Sequence, residues 1–190
     1  MPQLFSKTSL MAMFDEACHS FPQAREEKKE GPDTEDWRGG VPARQLLSTA
    51  GGPVQDRLYR APALQALLSE LVGVPLEASS NRASYSYYCR TGDHLGLHRD
   101  VDLCDVTIIV AVSDNTDPSQ AGGELIVYPE QIDEPMSVIR GNPDTKGISL
   151  KLAGGETLIL AGGMVPHLVR PVTEGQYRIT APMCFRILAT

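Results

Sequence analysis

An imidazole and a carboxylate two positions apart, His98 and Asp100, share one face of a strand, because side chains along a strand alternate with period 2. A second histidine from a neighbouring strand would complete a two-histidine, one-carboxylate triad. That donor set holds non-haem Fe(II) and leaves coordination positions open. His167, at the head of another strand-like run far downstream, is the candidate. Two neutral imidazoles and one carboxylate do not fill the metal's sphere, so an organic co-substrate and dioxygen can both bind.

A dicarboxylate co-substrate such as 2-oxoglutarate adds a requirement. Its keto-acid end chelates iron, and its far carboxylate needs a cation deeper in the protein, ideally a planar guanidinium. Arg178 lies downstream of His167, and Thr180 follows two positions later on the same strand face. The spacing is His-x10-Arg-x-Thr: a cation with a hydroxyl beside it.

These residues need strands to carry them. From Asn81 onward nearly every segment has strand character. Arg82 to Tyr88 alternates, Leu95 to Asp100 carries the first ligands, and Val106 to Val112 is a continuous β-branched run suited to a buried strand. Glu124 to Tyr128 follows the pair Gly122-Gly123, and Ile148 to Leu152 alternates again. Thr157 to Leu160 lies between glycine pairs, His167 to Val172 is short, and Gln176 to Leu188 closes the chain. About eight short strands after a helical first third predict a double-stranded β-helix, or jelly roll, that is mainly β with N-terminal helices packed on one sheet.

The spacing of Leu10, Met13, Phe14 and Ala17 predicts a helix over Ser9 to Ser20 with Ser9 as its N-cap. A second helix spans Ala61 to Val72, with the stripe Leu64, Leu67, Leu68, Leu71, Pro62 in its first turn and Gly73 at its end. Phe21 to Gly40 is charged and broken by prolines and glycines. It reads as a flexible segment, either a solvated linker or a lid. Val41 to Pro53 is ambiguous. The division predicted is 1–80 as a helical extension packing on the core and 81–190 as the β core, one domain overall.

Composition narrows the function classes. The chain has 190 residues, 42% of them hydrophobic, and a net charge of −7. That balance argues against nucleic acid or an anionic membrane as the main partner. The four cysteines show no CxxC spacing and read as reduced thiols of a cytoplasmic protein. The apolar run Leu10 to Phe14 is too short for a signal peptide or a membrane span.

Four pieces carry a family resemblance. They are Tyr88 to Asp100 (Tyr…Gly…His-x-Asp), Val106 to Val110 followed by Gly122-Gly123-Glu124-Leu125, Leu152 to Leu160, and His167 to Arg178. Together they resemble the Fe(II)/2-oxoglutarate-dependent dioxygenases, in particular the prolyl-hydroxylase-like branch. The likeness runs from about Arg82 to Ile187. It implies that His98, Asp100 and His167 bind iron and that Arg178 pairs with the distal carboxylate of 2-oxoglutarate. Tyr88 would donate its hydroxyl to that carboxylate, with Thr180 assisting. In close relatives the basic residue falls nine or ten positions after the distal histidine. Here it falls eleven after, and Gln176 stands at nine.

The resulting expectation is an Fe(II)- and 2-oxoglutarate-dependent dioxygenase that hydroxylates an unactivated C–H of a small polar molecule, such as an amino acid or a natural-product intermediate. Two alternatives stay open: a peptidyl-prolyl hydroxylase with a protein substrate, and a non-redox jelly-roll metal-binding protein. Arg99, between two ligands but facing away from them, and His94 are the candidates for substrate contact.

Overall fold

In the computed structural model, residues 4–32, 34–116 and 120–188 are described, the side chains of 80–82 excepted. The ends of the two predicted segments, at residues 1–3 and 189–190, and Asp33 within the 21–40 stretch lie outside the described residues.

Helix α1 (Lys7–Ser20) starts one turn fragment earlier than the periodicity predicts, because Ser6 is the N-cap and accepts from the Ser9 amide at 3.1 Å. Strand β1 (Arg25–Lys29) and strand β2 (Arg44–Ala50) pair antiparallel. Two helices follow, α2 (Pro53–Tyr59) and α3 (Pro62–Val72), both with proline in the first turn. Gly73 ends α3 in the left-handed region, at φ 79°. Then come β3 (Leu76–Tyr88), β4 (His94–His98), β5 (Val106–Asp114) and β6 (Leu125–Val127). A short helix α4 (Met136–Gly141) precedes β7 (Ile148–Leu150), β8 (Thr157–Leu160), β9 (His167–Val169) and β10 (Arg178–Ile187).

The strands pair antiparallel in the order β7-β6-β9-β4-β2-β3-β10-β5-β8, with β1 joined to β2. The sheet curls into the jelly roll the strand count predicts. Three apolar clusters show the layering. Met13 and Ala17 of α1, Tyr59 of α2 and Leu64 and Leu68 of α3 cover Tyr85, Tyr87, Ile108, Val110, Met183 and Phe185 on the outer face of the β3-β10-β5 part. Leu46, Tyr88, Leu125, Val127, Leu160, Val169 and Val172 fill the inside of the curl. Leu97, Ile126, Tyr128, Met136 and Ile139 form the layer under α4. Alternation along each strand sends odd and even residues into different layers, and a fully buried leucine such as Leu68 contributes about 1.5–3 kcal/mol. Leu67 and Leu71 of the predicted stripe remain 38% and 61% exposed, so α3 buries a narrower face than its sequence suggests.

Three expectations change. Residue 80 does not divide the fold, because β2 lies inside the sheet between β4 and β3. The stretch 21–40 holds β1, and its Asp36 and Arg38 are fastened to the core: the Asp36 carbonyl accepts from Met136 N at 2.9 Å, and Arg38 binds the carbonyls of Asp100 and Val101. The cysteines are not all reduced. Cys104 and Cys184 form a disulfide, and Cys18 and Cys89 are free. Eighty residues of sequence hide the pairing; it arises because β10 lies beside β5. Among the described residues no helix is long and apolar enough to cross a membrane.

Candidate metal centre

His98 ends β4 and His167 begins β9, and the two are direct partners across that antiparallel pair. Their ring centroids are 4.2 Å apart. Asp100 lies just past the end of β4, where its amide donates to Gly162 O at 2.9 Å in the turn leading to His167. Its Oδ1 stands 3.6 Å from His98 Nε2 and 3.7 Å from His167 Nε2. One ligand atom from each of the three residues lies within 4.8 Å of the others, and among the described residues this is the only such His/Cys/Asp/Glu group. His94, four positions before His98, does not join it; its Nδ1 bonds Gly92 O at 2.8 Å.

Both triad imidazoles are fixed in one tautomer by the backbone. His98 Nδ1 lies 2.8 Å from Gly96 O and His167 Nδ1 2.9 Å from Val165 O. A carbonyl only accepts, so each Nδ1 carries a proton and donates, and each Nε2 is the nitrogen turned toward Asp100. Asp100 divides its oxygens. Oδ1 faces the imidazoles, while Oδ2 accepts from the Thr107 hydroxyl and packs on Gly162, where a Cβ would stand 1.9 Å away. Only glycine fits there. Arg38 braces the turn that follows, through Asp100 O, Val101 O and the Asp105 carboxylate at 2.8 Å.

Burial would raise the Asp100 carboxyl, but the His98 hydrogen bond, the charges of both histidines and the Thr107 hydroxyl outweigh it and hold the group well below the usual carboxylate range. Burial, then the His98 charge, pushes His167 down to about 4 against the opposing pull of Asp100 and Val165 O. The folded chain therefore keeps His167 neutral while the unfolded chain protonates it near 6.5. In metal-free protein the stability contributed by this difference is fully present above pH 6.5 and lost as pH falls toward 4. The loss is on the order of 3 kcal/mol. Denaturant melts across that window should show it, and His167→Gln should flatten the slope.

Deeper in the curl, Arg178 and Tyr88 are direct partners across β10 and β3. Arg178 is 2% exposed, and its Cζ lies 5.6 Å from the Tyr88 ring centroid. Nη1 donates to Gly123 O. Nε is buried without a hydrogen bond and stands 3.7 Å from the Asp114 carboxylate, itself 4% exposed. Burial pushes the Tyr88 phenol up to about 12, with the Arg178 charge opposing. Thr180, also buried, follows on the same strand. Gln176 is turned elsewhere: its side chain accepts from Thr173 N at 2.9 Å and supports the turn at Ala121. The arrangement gives a three-ligand donor set and a separate buried guanidinium.

Arg99, just past the end of β4, is a strut. It is 4% exposed and donates to the carbonyls of Asp36, Gln131, Ile132, Glu134 and Met164. Its guanidinium also lies 5.2 Å from the ring centroid of Trp37. The sequence reading missed Thr107, Gly162, Arg38 and Asp114. Only Thr107 left a trace, as the one hydroxyl in the apolar run Val106 to Val112.

No family model and no curated protein matches the sequence. Solved structures do. A prolyl-4-hydroxylase from Pseudomonas putida matches at 17% identity with a TM-score of 0.62, covering 100% of this chain and 91% of that one. The non-haem alpha-ketoglutarate-dependent epimerase SnoN from nogalamycin biosynthesis matches at 15% and 0.67, covering 98% and 76%. HygX from Streptomyces hygroscopicus, solved with nickel, 2-oxoglutarate and hygromycin B, matches at 14% and 0.61, covering 98% and 81%. The chain has the fold these oxygenases share.

Proposed function

We propose that this protein is an Fe(II)- and 2-oxoglutarate-dependent dioxygenase that oxidises a C–H bond of a small polar molecule, by hydroxylation. The observation that carries the reading is the triad itself: two imidazoles locked as Nδ1–H donors to the backbone, with both Nε2 atoms and Asp100 Oδ1 converging. Two neutral nitrogens and one carboxylate oxygen fit non-haem Fe(II), and the charge of Asp100 offsets part of the metal's. Retention of that carboxylate disfavours halogenation, which needs its place for chloride.

Iron with 2-oxoglutarate and dioxygen supplies the oxidising power, with the co-substrate decarboxylated to succinate. The chain's own residues would position the parts. His98, Asp100 and His167 would hold the metal from one side. Arg178 keeps donors beyond the one given to Gly123 O, and with Tyr88 and Thr180 would take the far carboxylate. Leu46, Leu125, Val127, Leu160 and Val169 around them keep water from the site. Arg178 is what separates this reading from a non-redox metal-binding jelly roll, which has no need of a buried guanidinium.

The small-molecule preference draws support from HygX and SnoN, whose structures contain hygromycin B and nogalamycin RO. A protein substrate is the second reading, favoured by the match to a Trichoplax adhaerens prolyl hydroxylase in complex with a peptide fragment of hypoxia inducible factor, at 13% identity and a TM-score of 0.62, covering 98% of this chain and 82% of that one. Location in the cytoplasm is part of the proposal.

Anaerobic addition of Fe(II) and 2-oxoglutarate should give a weak visible charge-transfer band. The band should survive His94→Ala and disappear in His167→Ala. A folded wild-type protein without it would sink the reading. Succinate release with panels of small molecules and proline-containing peptides then decides between the two substrate classes.

A further inference from the structure

The back oxygen of Asp100 is held by a group that itself touches the disulfide. Thr107 Oγ1 donates to Asp100 Oδ2 and lies 3.1 Å from Cys104 Sγ and 4.0 Å from Cys184 Sγ. The arrangement is built into the sheet, since Cys184 and Thr107 are partners across β10 and β5. Cys104 is fully buried, while Cys184 is half-buried. A cleft of about 250 Å³ is lined by Glu77, Ala78, Ser79, Leu103 and Arg186. Leu103 immediately precedes Cys104, and Arg186 lies two positions after Cys184 on the same strand.

We propose that the Cys104–Cys184 disulfide and Thr107 form a relay onto Asp100, so that the redox state of the disulfide tunes how tightly His98, Asp100 and His167 hold a metal ion. This rests on the metal-site reading above. In the disulfide, Cys104 Sγ carries no hydrogen and Thr107 gives its one proton to Asp100. A dithiol reductant attacks the more accessible sulfur, that of Cys184, forming a mixed disulfide and releasing the Cys104 thiolate. The reductant's second thiol then displaces the Cys184 thiolate and leaves as a cyclic disulfide. Two electrons and two protons have passed to the protein, and both cysteines end as thiols. A peroxide reverses the change: two thiols and one hydroperoxide give the disulfide, water and the corresponding alcohol or water.

Reduction acts on the metal site through Thr107. The new Cys104 S–H has Thr107 Oγ1 as its neighbouring acceptor. Donation there strengthens the Thr107 hydrogen bond to Oδ2 and draws electron density from the ligating Oδ1. Deleting a second partner of a metal ligand costs about 10–100-fold in affinity, so tuning one should change it roughly three- to tenfold. By linkage, the metal makes the disulfide harder to reduce by the same factor.

The test is an anaerobic titration with Co(II) alone, read by its d–d absorption, in full-length protein carrying Cys18→Ser and Cys89→Ser. One sample is oxidised with glutathione disulfide; the other is reduced with a dithiol and desalted. The oxidised form should bind Co(II) roughly three- to tenfold more tightly. Thr107→Val should bind more weakly and equally in both states, and Thr107→Ser should restore the dependence. Equal affinity of the two parent states overturns the relay, as does a redox dependence that survives Thr107→Val. So does a pair of thiols still titratable after oxidation. Failure of both states to bind Co(II) overturns the metal reading itself.

Discussion

Replacing Arg178 with methionine is expected to weaken 2-oxoglutarate binding roughly 100-fold and, at the same time, to destabilise the protein by about 3–5 kcal/mol. The two effects have different origins. On the function proposed, the buried guanidinium would receive the far carboxylate of the co-substrate, and a charge-assisted pair of this kind is worth about 2–3 kcal/mol. The fold loses more, because Asp114, 4% exposed and 3.7 Å from Arg178 Nε, would be left as a buried carboxylate without its cation. Adding Asp114→Asn separates them. The double variant should regain most of the stability while 2-oxoglutarate binding stays weak. Urea melts give the first quantity, and the charge-transfer band titrated with 2-oxoglutarate gives the second. Metal affinity should change little in either variant. A double variant that binds 2-oxoglutarate like wild type would remove Arg178 from the co-substrate site.

Arg99→Met should be the second large effect, at about 3 kcal/mol of lost stability or more. Arg99 stands between two triad residues and invites a substrate role, but its donors go to carbonyls from Asp36, the 131–134 turn and Met164. Removing the guanidinium leaves several buried acceptors unpaired, and each such loss costs about 1–3 kcal/mol before water reaches it. It also frees Trp37, the chain's single tryptophan, from the cation beneath it. The variant's tryptophan emission should therefore shift alongside its melting midpoint, and Co(II) affinity should fall because the strut positions the residues on either side. A loss below about 1 kcal/mol together with a raised KM would instead place Arg99 at the substrate.

The strand framework was legible because alternation and glycine pairs are local signals. Thr157 to Leu160 is β8 at the bounds read from sequence, and β3 to β10 each overlap a run the pattern marked, although β3 begins at Leu76, ahead of Arg82, and β4 ends at His98, short of Asp100. The first half was harder. Arg25 to Lys29 is a charged run with no apolar alternation, and it becomes β1 only because the edge of β2 is there to pair with. Arg44 to Ala50 occupies the middle of the sheet, yet its neighbours β3 and β4 are tens of residues away in the chain. Helix α2 owes its start to Glu16 of α1, whose carboxylate accepts from the amides of Val54 and Gln55.

His98, Asp100 and His167 could be chosen from type and spacing because metal ligation demands particular atoms, but β4 ends at His98, so the turn held by Gly162 O and not strand period brings Asp100 to the imidazoles. The sequence by itself determined those three residues, the jelly roll that carries them, and Arg178 as the cation on the last strand. Tertiary structure alone decided what stands behind each of them. It placed Val165 and Gly96 carbonyls under the imidazoles, Gly162 and Thr107 against Asp100, a disulfide against Thr107, and Asp114 beside Arg178. Period 2 says which way a side chain points. It cannot say what a strand from elsewhere in the chain has placed there to meet it, because that depends on the register of pairings between distant segments.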